Sequence, residues 1–503
     1  MNKEWSLDIL YKSFDDPAFQ SDLKSVDTII EETHALCVAL SNMDEKAGVL
    51  SIIDLRERSE ITIGNLFEYI MLRQTTDTTN PETTSLLGNL TQKLSNISKD
   101  DVIFDKYIAN AKSLDALIEE NEICKGYKFY LTQIRKNCSH LLSDEVEEMI
   151  AKMNLTAGGS WASLFDYLTS TVLADYKGEK ITLPSVRNLA YSKDTQVRKD
   201  AYEAELLCYD KIKDSVAYAL NNIKKQVNML SETRGYASPL AMTLEQSRMS
   251  QETLDALWTA VEEYLPKFQA YLKRKSELLG YTNGLPWFEL YAEIGKIDKT
   301  YTAEEAKDYL ISHFTSFSQD MADMMTQAFD ESWIDFYPRP GKVGGAFCAN
   351  LTRQKQSRVL TNFDGSLNSI GTLAHELGHA YHGLHIQNHK PLNTNYTMPV
   401  AETASTFNEN VIMSAAIDQA LGKEKLALVE SQLQDFTQTI CDIYSRFIFE
   451  NAVFSKTKEE FLFPDQLKEI MNDAQIKAYG EGLDPDYRHP YMWACKGHYY
   501  SEH

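Results

Sequence analysis

The sequence predicts a mainly α protein with a small β-sheet just ahead of one functional helix. Apolar residues recur at three- and four-residue spacing through most of the chain. Strand signals are confined to short stretches near Lys180 and between Gly344 and Phe363. At 503 residues and 43% hydrophobic composition, the chain exceeds one usual core and suggests two or three lobes.

The elements follow in order. Residues 28–71 and 94–142 read as long helices with breaks, separated by a polar loop, Thr75 to Thr84. Another break falls at Thr156 to Ser160, and Lys180 to Pro184 reads as a short strand into a turn. A soft boundary near Ser185 divides the chain into residues 1–185 and 186–503. Ser250 caps a helix with Leu254, Leu257, Val261, Tyr264, Leu265, Phe268 and Leu272 along one face, kinked at Pro266 and ended by Gly280. Asn283 to Pro286 and Pro338 to Gly341 are turns. No repeat, phosphate-binding glycine loop or dinucleotide fingerprint is present.

Gly344-Gly345-Ala346-Phe347 and the four residues after it read as an edge strand, with Ser357 to Phe363 as its neighbour. An extended peptide can pair with such an edge through backbone hydrogen bonds, and paired glycines let backbones approach closely.

The next helix carries His375-Glu376-Leu377-Gly378-His379. Two histidines four apart share a helix side and can reach one zinc ion at about 2.0–2.1 Å per nitrogen. Glu376 follows where it can reach a water at that metal, so the pattern points to metal-assisted peptide hydrolysis. With 11 histidines in the chain, chance would supply it about 0.02 times. Ile370, Leu373, Ala374, Leu377, Ala380, Tyr381 and Leu384 form the apolar face, leaving His375, Glu376 and His379 turned to another neighbour.

A catalytic zinc usually takes three protein ligands and one water. Two residues compete for the third place. Glu402 lies on a second expected helix, capped by Thr397 with Pro399 in its first turn, and shares a polar strip with Ser405, Thr406 and Glu409. The loop from Asn388 to Asn395 is long enough to fold this helix back on the first. Glu409 can then hold the outer nitrogen of a ligating histidine. His385 has metzincin-like spacing, but its glycine falls at Gly383 and the required position is His382.

Several stretches give the chain a family likeness. They are Gly341-Lys342-Val343-Gly344-Gly345-Ala346-Phe347-Cys348-Ala349, Leu360-Thr361-Asn362-Phe363, Thr372 to His382, Ala401 to Glu409, and His489-Pro490-Tyr491-Met492-Trp493-Ala494. In these it resembles the oligoendopeptidase F family, within the thimet-oligopeptidase-like zinc peptidases. The resemblance implies two mostly helical lobes with a deep channel, an N-terminal helical lobe over 1–185 and a zinc-binding catalytic lobe over 186–503. It implies one Zn2+ per chain on His375, His379 and Glu402, with Glu376 as general base, and short unfolded peptides as substrates. His498 matches a histidine the family uses near substrate. The family continues past Gly497-His498-Tyr499-Tyr500 into a segment whose tyrosines face the zinc, whereas this chain stops at His503; Tyr499 or Tyr500 is the hydroxyl available instead. An alternative expectation follows: a truncated, catalytically weak relative that binds zinc and peptide.

Net charge of −23 argues against nucleic acid and anionic membranes as partners. Cys37, Cys124, Cys138, Cys208, Cys348, Cys441 and Cys495 are scattered, with no Cys-x-x-Cys, so reduced thiols are expected. With no signal-peptide core and no apolar run of transmembrane length, the expectation is a cytoplasmic protein.

Overall fold

The computed structural model describes residues 2–295 and 299–501. It is mainly helical, and its five strands form one two-stranded and one three-stranded sheet among the described residues. All seven cysteines are free thiols. Among the described residues no helix is long and apolar enough to cross a membrane.

The chain divides into two compact units, each made of two stretches. One is Met1–His140 with Asp298–Ala416; the other is Leu141–Ile297 with Ile417–His503. The sequence reading put its single division at Ser185. Residues on both sides of that point share one core: Phe165, Ala174 and Leu183 are buried in the same cluster as Val216, Leu220 and Phe449.

In the first unit, the long helices Pro17–Ala39 and Glu45–Thr76 pack together with Pro81–Ser95. The expected polar loop from Thr75 to Thr84 shrinks to residues 77–80. Asn80 accepts from the Glu82 and Thr83 amides and Pro81 opens the next helix, so the threonines beyond it are helical. Three short strands precede the histidine-bearing segment in sequence: β3 (Ile334–Asp335) is parallel to β5 (Gln356–Leu360), and β4 (Phe347–Leu351) is antiparallel to β5. The labels β1 (Leu173–Tyr176) and β2 (Glu179–Thr182) belong to a hairpin in the second unit. The order β3-β5-β4 leaves β4 at an edge, as the sequence suggested. Buried Asp335 fixes the approach to β4. It takes a two-pronged contact from Arg339 at 2.7 and 2.8 Å and an ion pair from Lys342 at 2.6 Å.

The second unit carries the expected Ser250-capped helix, Gln251–Leu278, with the Ser250 side chain accepting from the Thr253 amide. Leu254, Leu265, Phe268 and Leu272 are buried, but Leu257 and Tyr264 are exposed. Lys275, on the same helix, is buried and ion-paired to Glu430 at 2.6 Å.

Candidate active site

The segment Leu367–Ile386 is a single helix, capped by Ser366, whose side chain accepts from the Ser369 amide. Its apolar face (Ile370, Leu373, Ala374, Leu377, Ala380) is buried and packs on β4 and β5. That packing fixes the rotation of the helix and leaves His375 and His379 off its fully buried face.

The second helix folds back against it, but as two pieces. Met398–Ala401 and Thr403–Gln419 are separate, and Glu402 sits between them at φ −86°, ψ 1°. Thr397 and Pro399 open the first piece as expected, although the Thr397 side chain makes no capping hydrogen bond, while the polar strip continues through the second. The connecting loop is tied down: Asn393 donates to the Gly126 carbonyl at 3.0 Å, and the Lys390 ammonium sits 4.8 Å from the Tyr127 ring centre.

Contact between the two helices depends on Gly378. A β-carbon there would lie 2.6 Å from both the Ala404 oxygen and the Ser405 Cα. Next to it, buried Asn408 donates to the Ala374 carbonyl at 3.1 Å. Backbone-to-backbone approach at one point and an amide bridge at another bring Glu402 over the histidines.

The polar atoms then converge. His375 Nε2 and His379 Nε2 are 3.2 Å apart, and the Glu402 Oε2 is 3.2 Å from the first and 3.4 Å from the second. A tetrahedral zinc with bonds of about 2.0–2.1 Å spaces its ligand atoms about 3.3–3.4 Å apart. The triangle therefore fits one such ion, with a fourth direction left over. Among the described residues, these three are the group of this kind able to hold a metal. His385 is exposed and stands against Tyr381, outside that group.

Each ligand atom is also oriented from behind. Glu409 holds His375 Nδ1, and the Ala401 carbonyl takes a bond from His379. Ser405 donates to the Glu402 carboxylate at 2.8 Å. Such outer partners set tautomer and ring orientation. His375 is held above its ordinary pKa: burial pushes it down, but the bond and charge of Glu409 outweigh that, helped by Glu376 and Glu402. His379 is lowered by burial, despite the pull of Glu402.

Glu376 is almost fully buried beside this group. Burial pushes its carboxyl up to about 7; His375 opposes the rise, and the charges of Glu402 and Glu409 add to it. A carboxyl poised there can take up and release a proton near neutrality.

The remaining sequence-predicted residues are spread more widely. Gly344 and Gly345 precede β4. Gly345 has φ +78°, and a β-carbon on either would meet nothing within 4 Å. Asn362 donates to the Gly345 carbonyl at 2.8 Å, and Phe347 stands edge-on to Trp5. Ala346 lies between them, partly exposed. His498 is exposed in the second unit. Tyr500, in the same unit, is buried: its ring stacks on Phe165 and its hydroxyl donates to the Trp493 carbonyl at 2.9 Å. That hydroxyl is already engaged in the core, and Tyr499 is buried as well. Gly378, Ser405 and Asn408 are the residues whose roles the sequence reading did not anticipate.

The chain is similar to known proteins over most of its length. Residues 188–503 match the profile of peptidase family M3, and residues 109–172 match that of oligopeptidase F. Oligopeptidase PepF of Bacillus subtilis is 24% identical across 99% of this chain and 75% of its own length. Group B oligopeptidase PepB of Streptococcus agalactiae is also 24% identical, over 91% of this chain and 78% of its own. In fold, the chain is similar to a candidate peptidase from Chlamydophila abortus, with a TM-score of 0.85 at 20% identity over 99% and 85% of the two chains. It is also similar to oligoendopeptidase-F from Enterococcus faecium, with a TM-score of 0.67 at 19% identity over 96% and 84%.

Proposed function

The chain belongs to peptidase family M3 and is a metallo-oligopeptidase, and from that premise we propose that it is a zinc-dependent endopeptidase cutting short unfolded peptides. The supporting observation is the triangle of His375, His379 and Glu402, whose edges of 3.2, 3.2 and 3.4 Å match a tetrahedral ion. The donor set of two imidazoles and one carboxylate is also that of catalytic zinc sites that keep one position open.

Zinc, when bound there, supplies a Lewis acid for the scissile carbonyl and makes water acidic enough to attack near neutral pH. Glu376 takes a proton from the attacking water and returns it to the amine nitrogen as the carbon–nitrogen bond breaks. Its buried carboxyl, raised toward 7, serves both steps: it is basic enough to accept and acidic enough to give back. Glu409 keeps the His375 ring in one orientation throughout, and Ser405 does the same for Glu402. The β4 edge, with open space at Gly344 and Gly345, offers backbone groups along which Ala346 and Phe347 would line an extended substrate.

The test is a quenched fluorogenic peptide assay. Wild-type protein should cleave, stop on chelation and recover with zinc. Glu376→Gln should retain zinc yet lose about 10²–10⁴ of kcat. A Glu376→Gln protein with full activity would remove Glu376 as the base. Wild-type protein that holds zinc but cleaves no peptide would instead favour a binding role.

A further inference from the structure

Tyr396 belongs to the segment between the two helices, six residues before Glu402. Its ring tilts over the His382 imidazole with centroids 4.5 Å apart. His375, His379 and His382 stand at i, i+4 and i+7 on one helix, so they share a face. His382 stands three residues, about 4.5 Å along the axis, beyond His379, and the phenol ring is held against it.

The hydroxyl of Tyr396 rests beside Asn350, on the edge strand β4. Three contacts fix the Asn350 carboxamide. Its oxygen accepts from Ser357 at 2.8 Å and lies 3.6 Å from the Cys348 sulfur. On its other side is Gly383, where a β-carbon would come within 2.3 Å of that oxygen. The carboxamide is thus held in place beside the phenol. The phenol carries one proton to donate. Among the described residues no acceptor takes that proton, and Tyr396 is 38% exposed. The chain has built a hydroxyl donor on a ring held by His382, placed between that histidine and the edge strand.

We propose that Tyr396 is a catalytic residue whose hydroxyl donates a hydrogen bond to the scissile carbonyl oxygen as that oxygen gains negative charge. The assignment rests on the peptidase reading above and adds a residue to it. Asn350 and Ser357 act as positioning residues, and His382 holds the ring. A preorganised donor of this kind works because it needs no reorientation as charge develops.

Tyr396→Phe removes the hydroxyl and keeps the ring on His382. The expected result is a fall in kcat of about 10²–10³-fold with KM within about threefold. Zinc content should stay at the wild-type level. Affinity for a phosphinic peptide, which carries the tetrahedral oxygens of the transition state, should fall in parallel with kcat/KM, while affinity for the cleavage-product peptide stays put. Asn350→Ala should reproduce a smaller part of the kcat loss. A Tyr396→Phe protein whose kcat stays within about threefold of wild type overturns the proposal and leaves the peptidase reading intact. Equal loss of phosphinate and product affinity, or loss of zinc, would overturn it too by making Tyr396 structural. Failure of the wild-type protein to cleave any peptide would sink both readings together.

Discussion

Gly378 and Ser405 touch backbone to backbone: a β-carbon on Gly378 would stand 2.6 Å from the Ser405 Cα. This contact sets the spacing of the two helices that carry the converging ligands. Gly378→Ala must push the second helix outward, because the obstructing atoms are backbone and cannot rotate away. Overpacking of this kind costs about 1–3 kcal/mol. The expected outcome is a lower melting temperature and weaker zinc binding at unchanged His375, His379 and Glu402. A variant with wild-type melting temperature and zinc affinity would refute the role given to this contact.

Glu409 bonds His375 at Nδ1, the ring nitrogen away from the converging ligand atoms. Removing such an outer partner typically costs 10–100-fold in metal affinity, so Glu409→Ala should weaken zinc binding by about that factor. Competition with a zinc-sensitive dye measures it. An unchanged dissociation constant would show that His375 needs no support from behind.

Zinc binding should depend on pH in a defined direction. The metal requires neutral His375, and in the metal-free protein that residue is held above its ordinary 6.5, because Glu409 outweighs burial. Below the raised pKa a proton must be displaced, so affinity falls by about tenfold per pH unit; above it, this proton no longer contributes. The bend should therefore lie above 6.5, and Glu409→Gln should move it lower. A zinc titration whose bend stays in place in that variant would contradict the coupling.

How much of this was legible in the sequence differs from residue to residue. His375 and His379 stood out because a helix forces i and i+4 together, and the apolar stripe from Ile370 to Ala380 fixed the remaining face. Glu402 was legible as a carboxylate in an otherwise apolar helix. The break at Glu402 was not, since neither glycine nor proline stands there. Gly378 carried a faint signal: glycine inside a helix costs about 1 kcal/mol relative to alanine, which usually means something lies close. Asn408 reads as one more polar side chain until the helices are docked. The two units were out of reach, because the join between residues 1–140 and 298–416 rests on contacts far apart in sequence.

In the second unit, Lys275 is buried and bonds Glu430 at 2.6 Å, Gln434 at 2.8 Å and the Leu290 carbonyl at 3.0 Å. Burial lowers its pKa, and Glu430 opposes the shift. Lys275→Met would leave the Glu430 carboxylate buried with Tyr271 as its main donor. Breaking one side of such a pair costs about 3–5 kcal/mol, readable as a drop in the urea midpoint. A loss below about 1 kcal/mol would mean that Glu430 is protonated or hydrated when its partner is removed.

Anomalous diffraction at the zinc edge, on crystals of protein purified without added metal, tests the central claim most directly. The account predicts one peak per chain, about 2.0–2.2 Å from His375 Nε2, His379 Nε2 and a Glu402 oxygen. A peak bound elsewhere, or a Glu402 carboxylate turned away from a metal on the two histidines, would contradict it.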